Sequence, residues 1–320
     1  MTSIIMTYHE EPVEFIRECV DQLQSTIDIP DHELIIIDDC SQVPLPLSFN
    51  DKKKGVRVIR NATNIGVGRS FDAGVKEAKG ENIILMACDI RFKANNWASL
   101  LIQEIDKYPT SFICTSCVCL DANNMDFDKR QKENVGRGAT ILMYHDKESN
   151  PLKDARFKSI IEAKWQGKQK GESYEIPCIL GAFYGVKKAW YEHVDGFWGH
   201  IRWGTLEPYI SLKSWFFGGS CRIATHIYTA HIFSDTHRHG IKWDVLMYNK
   251  MLVSTLLFKE PLLITSFIPE SSIKETGRKM IYDNREEIMK KREEYLAKRK
   301  VVPQSFFDRW KIDTRGKNLR

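Results

Sequence analysis

Short apolar runs alternate with segments of helical periodicity through the first third of the chain, and this alternation constrains the fold most strongly. Continuous apolar runs are typical of strands that are buried on both faces of a parallel sheet. Strands that alternate with helices predict an α/β fold with a doubly wound, mostly parallel sheet flanked by helices. The strand-like runs are SIIMTY (3–8), ELIIIDD (33–39), VRVIRN (56–61) and NIILMA (82–87), and the helical segments are 12–27 and 67–79.

The rest of the chain is more varied. Residues 121–176 are polar and weakly periodic, which favours a loop-rich insert or flap. The remaining patterns predict a helix over 97–107, a strand over 111–119, a helix over 206–217, two strands in SCRIATH (220–226) and IYTAHIF (227–233), a helix over 243–258 and a charged helix over 270–300.

Three polar residues stand where predicted strands end: Thr7, Asp39 and Asp89. In a doubly wound sheet, ligands bind beyond the carboxyl ends of the strands. Three such residues together therefore indicate a binding site. Taken alone, Asp89 within ILMACDIRF (84–92) is either a strand-end cap or a metal ligand. The local sequence pattern does not distinguish between these two roles.

Composition indicates a globular protein in a reducing compartment. The 320 residues are 42% hydrophobic and 28% charged. The eight cysteines are scattered and several lie inside apolar runs, which favours reduced thiols and a cytoplasmic location. The CxxCxC at 114–119 is interpreted as strand thiols rather than a zinc site. The N-terminus shows no secretory signal, and the run MLVSTLLF (251–258) is too short to span a membrane.

Basic character is concentrated at the C-terminus. Residues 271–320 carry 15 Lys and Arg against 8 Asp and Glu, whereas residues 1–270 carry 32 against 34. A basic helical C-terminal extension is therefore expected over 266–320. It is either a solvated helix or a surface that contacts the phosphates of nucleic acid or a membrane.

Four segments, in this order, resemble the family-2 inverting glycosyltransferases of the GT-A fold and the related polypeptide N-acetylgalactosaminyltransferases. The resemblance covers roughly residues 1–235 and implies a GT-A fold, a uridine-linked nucleotide-sugar donor, and a divalent Mn²⁺ or Mg²⁺ cofactor. The segments are SIIMTYHEE (3–11), HELIIIDDCS (32–41), RNATNIGVGRSFDAGVKEAKGENIILMACD (60–89) and GAFYGVKKAWYEHVDGFWGHIRWGTLEPYISLKSWFFGG (181–219).

The resemblance also implies the donor and metal residues. The family's Asp-x-Asp metal motif falls on Ala87-Cys88-Asp89, so only its last acid is present, and His231 is expected as the second metal ligand. His237 and His239 could approach the phosphates. The residues expected to bind the nucleotide sugar are Thr7, Glu10, Asp39, Asn64, Arg69 and Asp89.

The catalytic base is implied by the segment WGTLEPYISLKSWFFGG (203–219). The Glu-Asp pair of the family falls on Leu206-Glu207, so Glu207 is expected to deprotonate the acceptor in an inverting transfer, with a retaining mechanism left open. Leu206 cannot hydrogen-bond an acceptor, which indicates an unusual one. Gly181, Ala182 and Trp203 are expected to contact the acceptor.

The resemblance sets the domain organisation and leaves the acceptor open. The expected units are a glycosyltransferase domain over 1–265 (a nucleotide-binding half, 1–120; the insert, 121–176; an acceptor and catalytic half, 177–265) and the extension over 266–320. The acceptor is a glycan, a lipid-linked sugar, a protein or the hydroxymethylated bases of DNA, as for some phage enzymes. A non-catalytic domain that binds nucleotide sugars is a further alternative.

Overall fold

A computed structural model describes residues 1–51, 55–121, 123–143, 160–233, 242–261, 265 and 270–314. Within this part of the chain, ten strands form one mixed sheet. One half is parallel, with the spatial order β4-β1-β2-β3. Its elements are β1 (Thr2–Tyr8), α1 (Val13–Thr26), β2 (His32–Asp38), β3 (Val56–Arg60), α2 (Val67–Glu77) and β4 (Asn82–Ala87). The mostly parallel, helix-flanked sheet expected from the sequence is confirmed.

The side chains of these strands alternate between two hydrophobic clusters. Ile5 and Leu85 belong to one cluster, and Ile4 and Met86 belong to the other. Because successive strand residues point to opposite faces, both faces of the sheet are buried. Continuous apolar runs, rather than alternating ones, are required for this arrangement.

The other half of the sheet is joined through an antiparallel strand. Strand β11 lies antiparallel between β4 and β6, and β12 runs parallel to β6 and antiparallel to the short β5. These elements are β5 (Ile90–Phe92), α3 (Trp97–Lys107), β6 (Ser111–Asp121), β11 (Phe183–Lys187) and β12 (Ser220–Phe233).

Strand β12 corrects the sequence analysis, which predicted two strands in this region. The chain continues as one strand, with a register shift between Ala224 and Tyr228. The backbone in the shift is satisfied elsewhere: the Thr225 carbonyl accepts from Ser116 Oγ at 2.9 Å, and the Thr225 N–H donates to the Glu172 carbonyl at 2.7 Å. A bulge within one strand therefore lies where the sequence predicted the boundary between two strands.

The segment 121–176 contains regular structure in its described residues. Strands β8 and β9 pair antiparallel in a sheet of their own, with Leu142 opposite Glu162. Helix α6 packs against β9, so this hairpin lies on the body of the fold. The elements are α4 (Phe127–Glu133), β7 (Val135–Gly136), β8 (Ala139–Leu142), β9 (Glu162–Trp165) and β10 (Ser173–Glu175).

The C-terminal helices pack on the body through buried side chains. The Arg292 guanidinium donates to the carbonyls of Phe258 (2.5 Å) and Lys259 (2.7 Å) at the end of α7, and the buried Tyr295 donates to Asp195 Oδ2 at 2.9 Å. The helices here are α5 (Lys188–His193), α6 (Leu206–Phe216), α7 (Trp243–Leu257), α8 (Ser272–Asp283), α9 (Arg285–Lys298) and α10 (Pro303–Trp310). The single charged helix predicted over 270–300 is thus two helices, which meet at Asn284.

The eight cysteines are free thiols, and six of them are buried. Among the described residues, no helix combines the length and apolar character needed to cross a membrane.

Candidate active site

The strand ends expected to carry the site lie side by side. Strands β1, β2 and β4 are parallel neighbours, and Thr7 is in register with Ile37 on one side and Ala87 on the other. Asp39 and Asp89 follow within two residues of these positions. The three residues therefore share one edge of the sheet, as parallel strands require.

Asp39 holds the loop that leads into α2. Its carboxylate accepts hydrogen bonds from Asn61 Nδ2 (2.9 Å) and from the backbone N–H groups of Ile65 (2.9 Å) and Gly66 (2.7 Å). The residue is 3% exposed. A carboxylate with three donors is well satisfied, so the first effect of Asp39 is to fix the loop over 61–66. Among the described residues, Oδ2 accepts a hydrogen bond from Gly66 alone, so this oxygen keeps further acceptor capacity.

Glu10, Asn64 and Arg69 surround this loop. Glu10 has a φ of 64°, and its carboxylate accepts from the Gln42 N–H, so it bridges the turns that follow β1 and β2. Asn64 Nδ2 lies 2.8 Å from His9 Nε2, which joins the loop to the end of β1. Arg69 is exposed in the first turn of α2. All three lie around the strand edge that also carries Thr7.

Asp89 and His231 form an ion pair across β5. Asp89 occupies the turn between β4 and β5, and His231 on β12 is opposite Ile90. Asp89 Oδ1 lies 3.2 Å from His231 Nε2, and each side chain is about one-fifth exposed (20% and 19%). Burial opposes ionisation of Asp89, but the charge of His231 holds the pKa of its carboxyl below the usual range. The two residues that the resemblance implies as metal ligands are thus in direct contact.

The pair has the donor chemistry of a divalent-metal site. Within the described part of the chain, Asp89 Oδ1 has no polar partner besides His231 Nε2, and the buried His231 Nδ1 makes no hydrogen bond. A carboxylate oxygen and an imidazole nitrogen suit Mn²⁺. No group of three or more His, Cys, Asp or Glu residues that could hold a metal occurs among the described residues. Two protein ligands leave further positions for phosphate oxygens and water. His237 and His239 lie outside the described residues.

Glu207 is the second residue of α6 and lies against Gly181. It is in the first helical turn, where the helix dipole favours a carboxylate. A Cβ at position 181 would overlap the Glu207 carboxylate, so only glycine leaves room for it. Burial raises the pKa of the Glu207 carboxyl above its usual range. Gly181 was expected to let a sugar approach the backbone; in the structure its open side accommodates the Glu207 side chain.

The loop before α6 is held by two buried polar side chains. Asn249 Nδ2 donates to the Ile201 carbonyl (2.8 Å), and its Oδ1 accepts from the Ile201 N–H (3.1 Å). His200, fully buried, lies with Nε2 2.6 Å from the Gly204 carbonyl. Burial lowers the pKa of His200 to about 4, so the ring is neutral at pH 7. These contacts fix the approach of the chain to Glu207.

The same loop joins the two halves of the site. Gly66 forms a parallel bridge with Arg202, and the Val67 N–H donates to the Arg202 carbonyl at 3.2 Å. A side chain at Gly66 would overlap the Arg202 backbone. The start of α2, which Asp39 holds, is therefore tied directly to the loop that positions Glu207.

Ala182 and Trp203 border the site in different ways. Ala182 has a φ of 77°, a left-handed conformation that costs energy for a residue with a Cβ. Its carbonyl accepts from the Ala87 N–H at 2.9 Å, so it fixes the end of β4 next to Asp89. Trp203 is 53% exposed in the loop before α6, where its ring is accessible to a ligand.

Sequence reasoning missed a buried ion pair beside Glu207. Lys250 on α7 is fully buried, and its Nζ lies 2.8 Å from Glu162 Oε2 on β9. The signal was present in the sequence, because Asn249 and Lys250 interrupt an otherwise apolar helix. A polar pair at such a place requires buried partners.

The comparison with protein families identifies the class to which this fold belongs. The family model "Glycosyl transferase family 2" matches residues 3–194, more than half of the chain. The protein belongs to glycosyl transferase family 2.

Characterised relatives are distant and longer. The chain is 23% identical over 242 residues to human polypeptide N-acetylgalactosaminyltransferase 14, covering 74% of this chain and 41% of the relative. It is 24% identical over 217 residues to the probable N-acetylgalactosaminyltransferase 9 of Caenorhabditis elegans, covering 65% and 35%. The chain thus spans about two-fifths of the length of the curated relatives it matches.

Solved structures share the fold. GalNAc-T7, crystallised with UDP, GalNAc and Mn²⁺, matches with a TM-score of 0.61 and 16% identity, over 91% of this chain and 56% of that one. S. aureus TarS 1-349 in complex with UDP-GlcNAc matches with a TM-score of 0.52 and 13% identity, over 83% and 70%. At these identities the likeness establishes the GT-A fold.

Proposed function

We propose that the protein is a metal-dependent glycosyltransferase that moves a sugar from a nucleotide sugar, a UDP-sugar, to a hydroxyl acceptor. The observation that carries the proposal is the placement of a carboxylate of raised pKa, Glu207, at the edge of the sheet that also carries the Asp89–His231 pair. Membership of glycosyl transferase family 2 supports the reaction class. UDP and Mn²⁺ in GalNAc-T7, and UDP-GlcNAc in TarS, support the donor and the cofactor.

Asp89 and His231 are the residues that would hold the metal. Asp89 Oδ1 and His231 Nε2, which are 3.2 Å apart, are close enough to bind one Mn²⁺ or Mg²⁺ ion. When bound, the ion neutralises charge on the leaving nucleoside diphosphate. Ala87 occupies the position where the family motif has its first acid, so the site has few protein ligands. The phosphates of the donor would supply further ligands to the ion.

Donor binding is assigned to the strand edge and the loop over 61–66. Oδ2 of Asp39 keeps acceptor capacity for a uracil or ribose donor group, and Thr7 lines the same place. Glu10 and Asn64 are at the turns on either side. Arg69, exposed at the start of α2, is suited to a diphosphate oxygen.

Glu207 acts as the general base of an inverting transfer. The acceptor hydroxyl gives its proton to Glu207 as its oxygen forms a bond to the anomeric carbon, and the bond from that carbon to the diphosphate oxygen breaks. A carboxylate of raised pKa is a stronger base than an ordinary one. Ala182 and Trp203 border the acceptor side, and Gly181 leaves the space in which Glu207 lies.

The test is donor binding and turnover. Wild-type protein is screened by thermal shift against UDP- and GDP-sugars with and without Mn²⁺, because a ligand raises the melting temperature by mass action. UDP release is then compared in wild type, Asp89→Ala and Glu207→Gln, and the product anomer is identified by NMR. We expect a Mn²⁺-dependent shift that Asp89→Ala removes. Equal turnover in all three proteins would overturn the site, and binding without turnover would favour a non-catalytic sugar-binding domain.

Location and nucleic-acid contact follow as further parts of the proposal. The free thiols support a reducing, cytoplasmic setting. DNA contact through the C-terminal region would appear as salt-dependent retention on DNA that charge-reversed α9 variants lose.

A further inference from the structure

The residue before Glu207 does not face the site. Leu206 is 7% exposed and belongs to the main hydrophobic cluster. A Cβ at Gly68 would meet the side chains of Leu206 and Phe197, so position 206 is packed between α2 and the 197 region. The acceptor side of Glu207 therefore needs a second polar group from another element.

Strand β9 supplies a carboxylate at that place. Helix α6, which carries Glu207 in its first turn, packs against β9, which begins with Glu162. The two carboxyl groups sense each other: after burial, the charge of Glu162 is the main contribution that raises the pKa of Glu207. The Glu162 side chain is 35% exposed, so it is accessible to a ligand.

A buried lysine holds Glu162 in place. The Lys250 side chain is 1% exposed, and its Nζ lies 2.6 Å from the Ile160 carbonyl and 2.8 Å from Glu162 Oε2. A buried ammonium is stable only when it is paired and hydrogen-bonded. Because Oε2 is bound in this way, the second oxygen, Oε1, has a fixed direction. Within the described residues, Oε1 accepts no hydrogen bond.

Exposed aromatic rings border the same site on the His231 side. Trp165, at the other end of β9, is 36% exposed, and Phe233 is 37% exposed. Their ring centroids are 5.4 Å apart at an interplanar angle of 70°, and the Phe233 ring is 4.3 Å from that of His231. Trp165 is three residues from Glu162 on β9, so the two side chains point to opposite faces of the strand, and the aromatic pair lies next to His231. A sugar has hydroxyl edges for the carboxylates and apolar C–H faces for the aromatic rings.

We propose that Glu162 is an acceptor-binding residue, positioned by Lys250, and that the acceptor is a sugar. This rests on the proposed function. Glu162 Oε1 accepts a hydrogen bond from one acceptor hydroxyl while Glu207 takes the proton of another. The oxygen of the hydroxyl that Glu207 deprotonates forms the new glycosidic bond to the anomeric carbon. The bond between that carbon and the diphosphate oxygen breaks, and the nucleoside diphosphate leaves with its electron pair. The negative charges of Glu162 and Glu207 disfavour binding of the phosphates of nucleic acid at the same place.

The test uses defined acceptor probes with the active donor. Methyl β-glucopyranoside, methyl β-galactopyranoside and N-acetylglucosamine are compared with a Ser/Thr peptide and a hydroxymethylcytosine duplex, and UDP release is measured. We expect a sugar probe to accelerate release. In Glu162→Gln, the KM for that sugar should rise about tenfold or more, as expected for loss of a hydrogen bond to a charged group, with a smaller change in kcat. Glu172→Gln, an exposed acid upstream of β10, is the matched control and should be unchanged.

A pH profile separates this role from a structural one. Glu162→Gln removes a negative charge near Glu207, so the acid limb of UDP-sugar hydrolysis should move to lower pH. Lys250→Met leaves Glu162 uncompensated and should move the limb to higher pH. An unchanged sugar KM in Glu162→Gln, or acceleration by the peptide or duplex alone, would overturn the inference while hydrolysis and donor binding still supported the proposed function. A wild type that neither binds nor hydrolyses any nucleotide sugar would overturn both.

Discussion

Two loops meet at the carboxyl ends of the parallel strands, where the candidate site lies, and they differ in hydrogen bonding and in backbone strain. The loop over 61–66 is satisfied: the Asp39 carboxylate takes two of its backbone N–H groups and the Asn61 amide. The loop over 199–205 is strained. Arg202 and Thr205 have positive φ values of 53° and 66°, and the buried atoms His200 Nδ1 and Thr205 Oγ1 make no hydrogen bond with described residues.

The difference matches the two tasks assigned to the site. A donor pocket gains affinity from a surface that is already formed, because less ordering is needed on binding. A base must have a perturbed pKa and a fixed direction, and the strain that this requires persists only where the surroundings hold it. Glu207 follows directly from the strained loop, and the bridge between Gly66 and Arg202 braces it against the satisfied one.

The largest effect is expected at the base. Glu207→Gln keeps the shape of the side chain but cannot accept a proton, so transfer should fall by about 10³-fold. The melting temperature should stay close to that of wild type. In wild type, the rate should rise with pH through the raised pKa of Glu207, because the deprotonated form is the base. The measurement is kcat across pH, with Glu172→Gln as control. A loss smaller than about tenfold would remove Glu207 from this role.

In the loop over 61–66, loss of the Asp39 carboxylate should lower the free energy of unfolding. Asp39→Ala leaves two buried backbone N–H groups and the Asn61 amide without their acceptor, which should cost about 3 kcal/mol of the free energy of unfolding. Urea denaturation measures this cost. Asp21→Ala, at an exposed position on α1, should change it little. A small cost at Asp39 with complete loss of donor binding would instead show that the carboxylate serves the ligand more than the loop.

The contrast also explains what the sequence could predict. The helix over 97–107 and the strands at 82–87 and 111–119 follow from periodicity and burial, which are local properties. Asp39, Asp89 and Glu207 could be proposed as site residues because strand ends and family motifs can be recognised in the sequence alone. The Lys250–Glu162 pair joins residues 88 positions apart, so the interruption of α7 at Lys250 indicates a buried partner but does not identify Glu162 as that partner. The joined β12 escaped for the same reason, since its bulge is satisfied by Ser116 on another strand.

The strained loop should weaken in acid through His200. Its pKa is lowered to about 4 in the folded protein, against about 6.5 in the unfolded chain. Between these values the unfolded chain takes up a proton that the folded protein does not, so stability is full above pH 6.5 and falls as pH drops towards 4. From pH 7 to pH 5 the loss should be about 2 kcal/mol.

His200→Gln isolates this effect, because Gln keeps a donor for the Gly204 carbonyl but does not titrate. The difference in urea stability between pH 7 and pH 5 should be smaller in His200→Gln than in wild type. Equal differences in the two proteins would mean that other groups account for the acid sensitivity.

The smallest effect is a gain in stability on substitution of Thr205, the N-cap residue of α6. Thr205 is 6% exposed, has a left-handed backbone and leaves its hydroxyl without a described partner. Glycine at position 205 removes a backbone cost of about 1–2 kcal/mol and the buried unpaired hydroxyl. Against this, the larger conformational entropy of glycine in the unfolded chain destabilises the fold by about 0.5–1 kcal/mol. Thr205→Gly should therefore stabilise the fold by about 1 kcal/mol and slow transfer, since Glu207 loses a rigid support.

Lys311→Gly is the matched control for this substitution, because Lys311 is also left-handed, with a φ of 51°, but is exposed at the end of α10, away from the site. It should leave transfer unchanged. If Thr205→Gly stabilises the fold and slows the reaction while Lys311→Gly does only the first, then strain in the loop over 199–205 serves the base. If Thr205→Gly destabilises the fold, its hydroxyl has a partner such as bound water, and the two loops differ less than their described hydrogen bonds indicate.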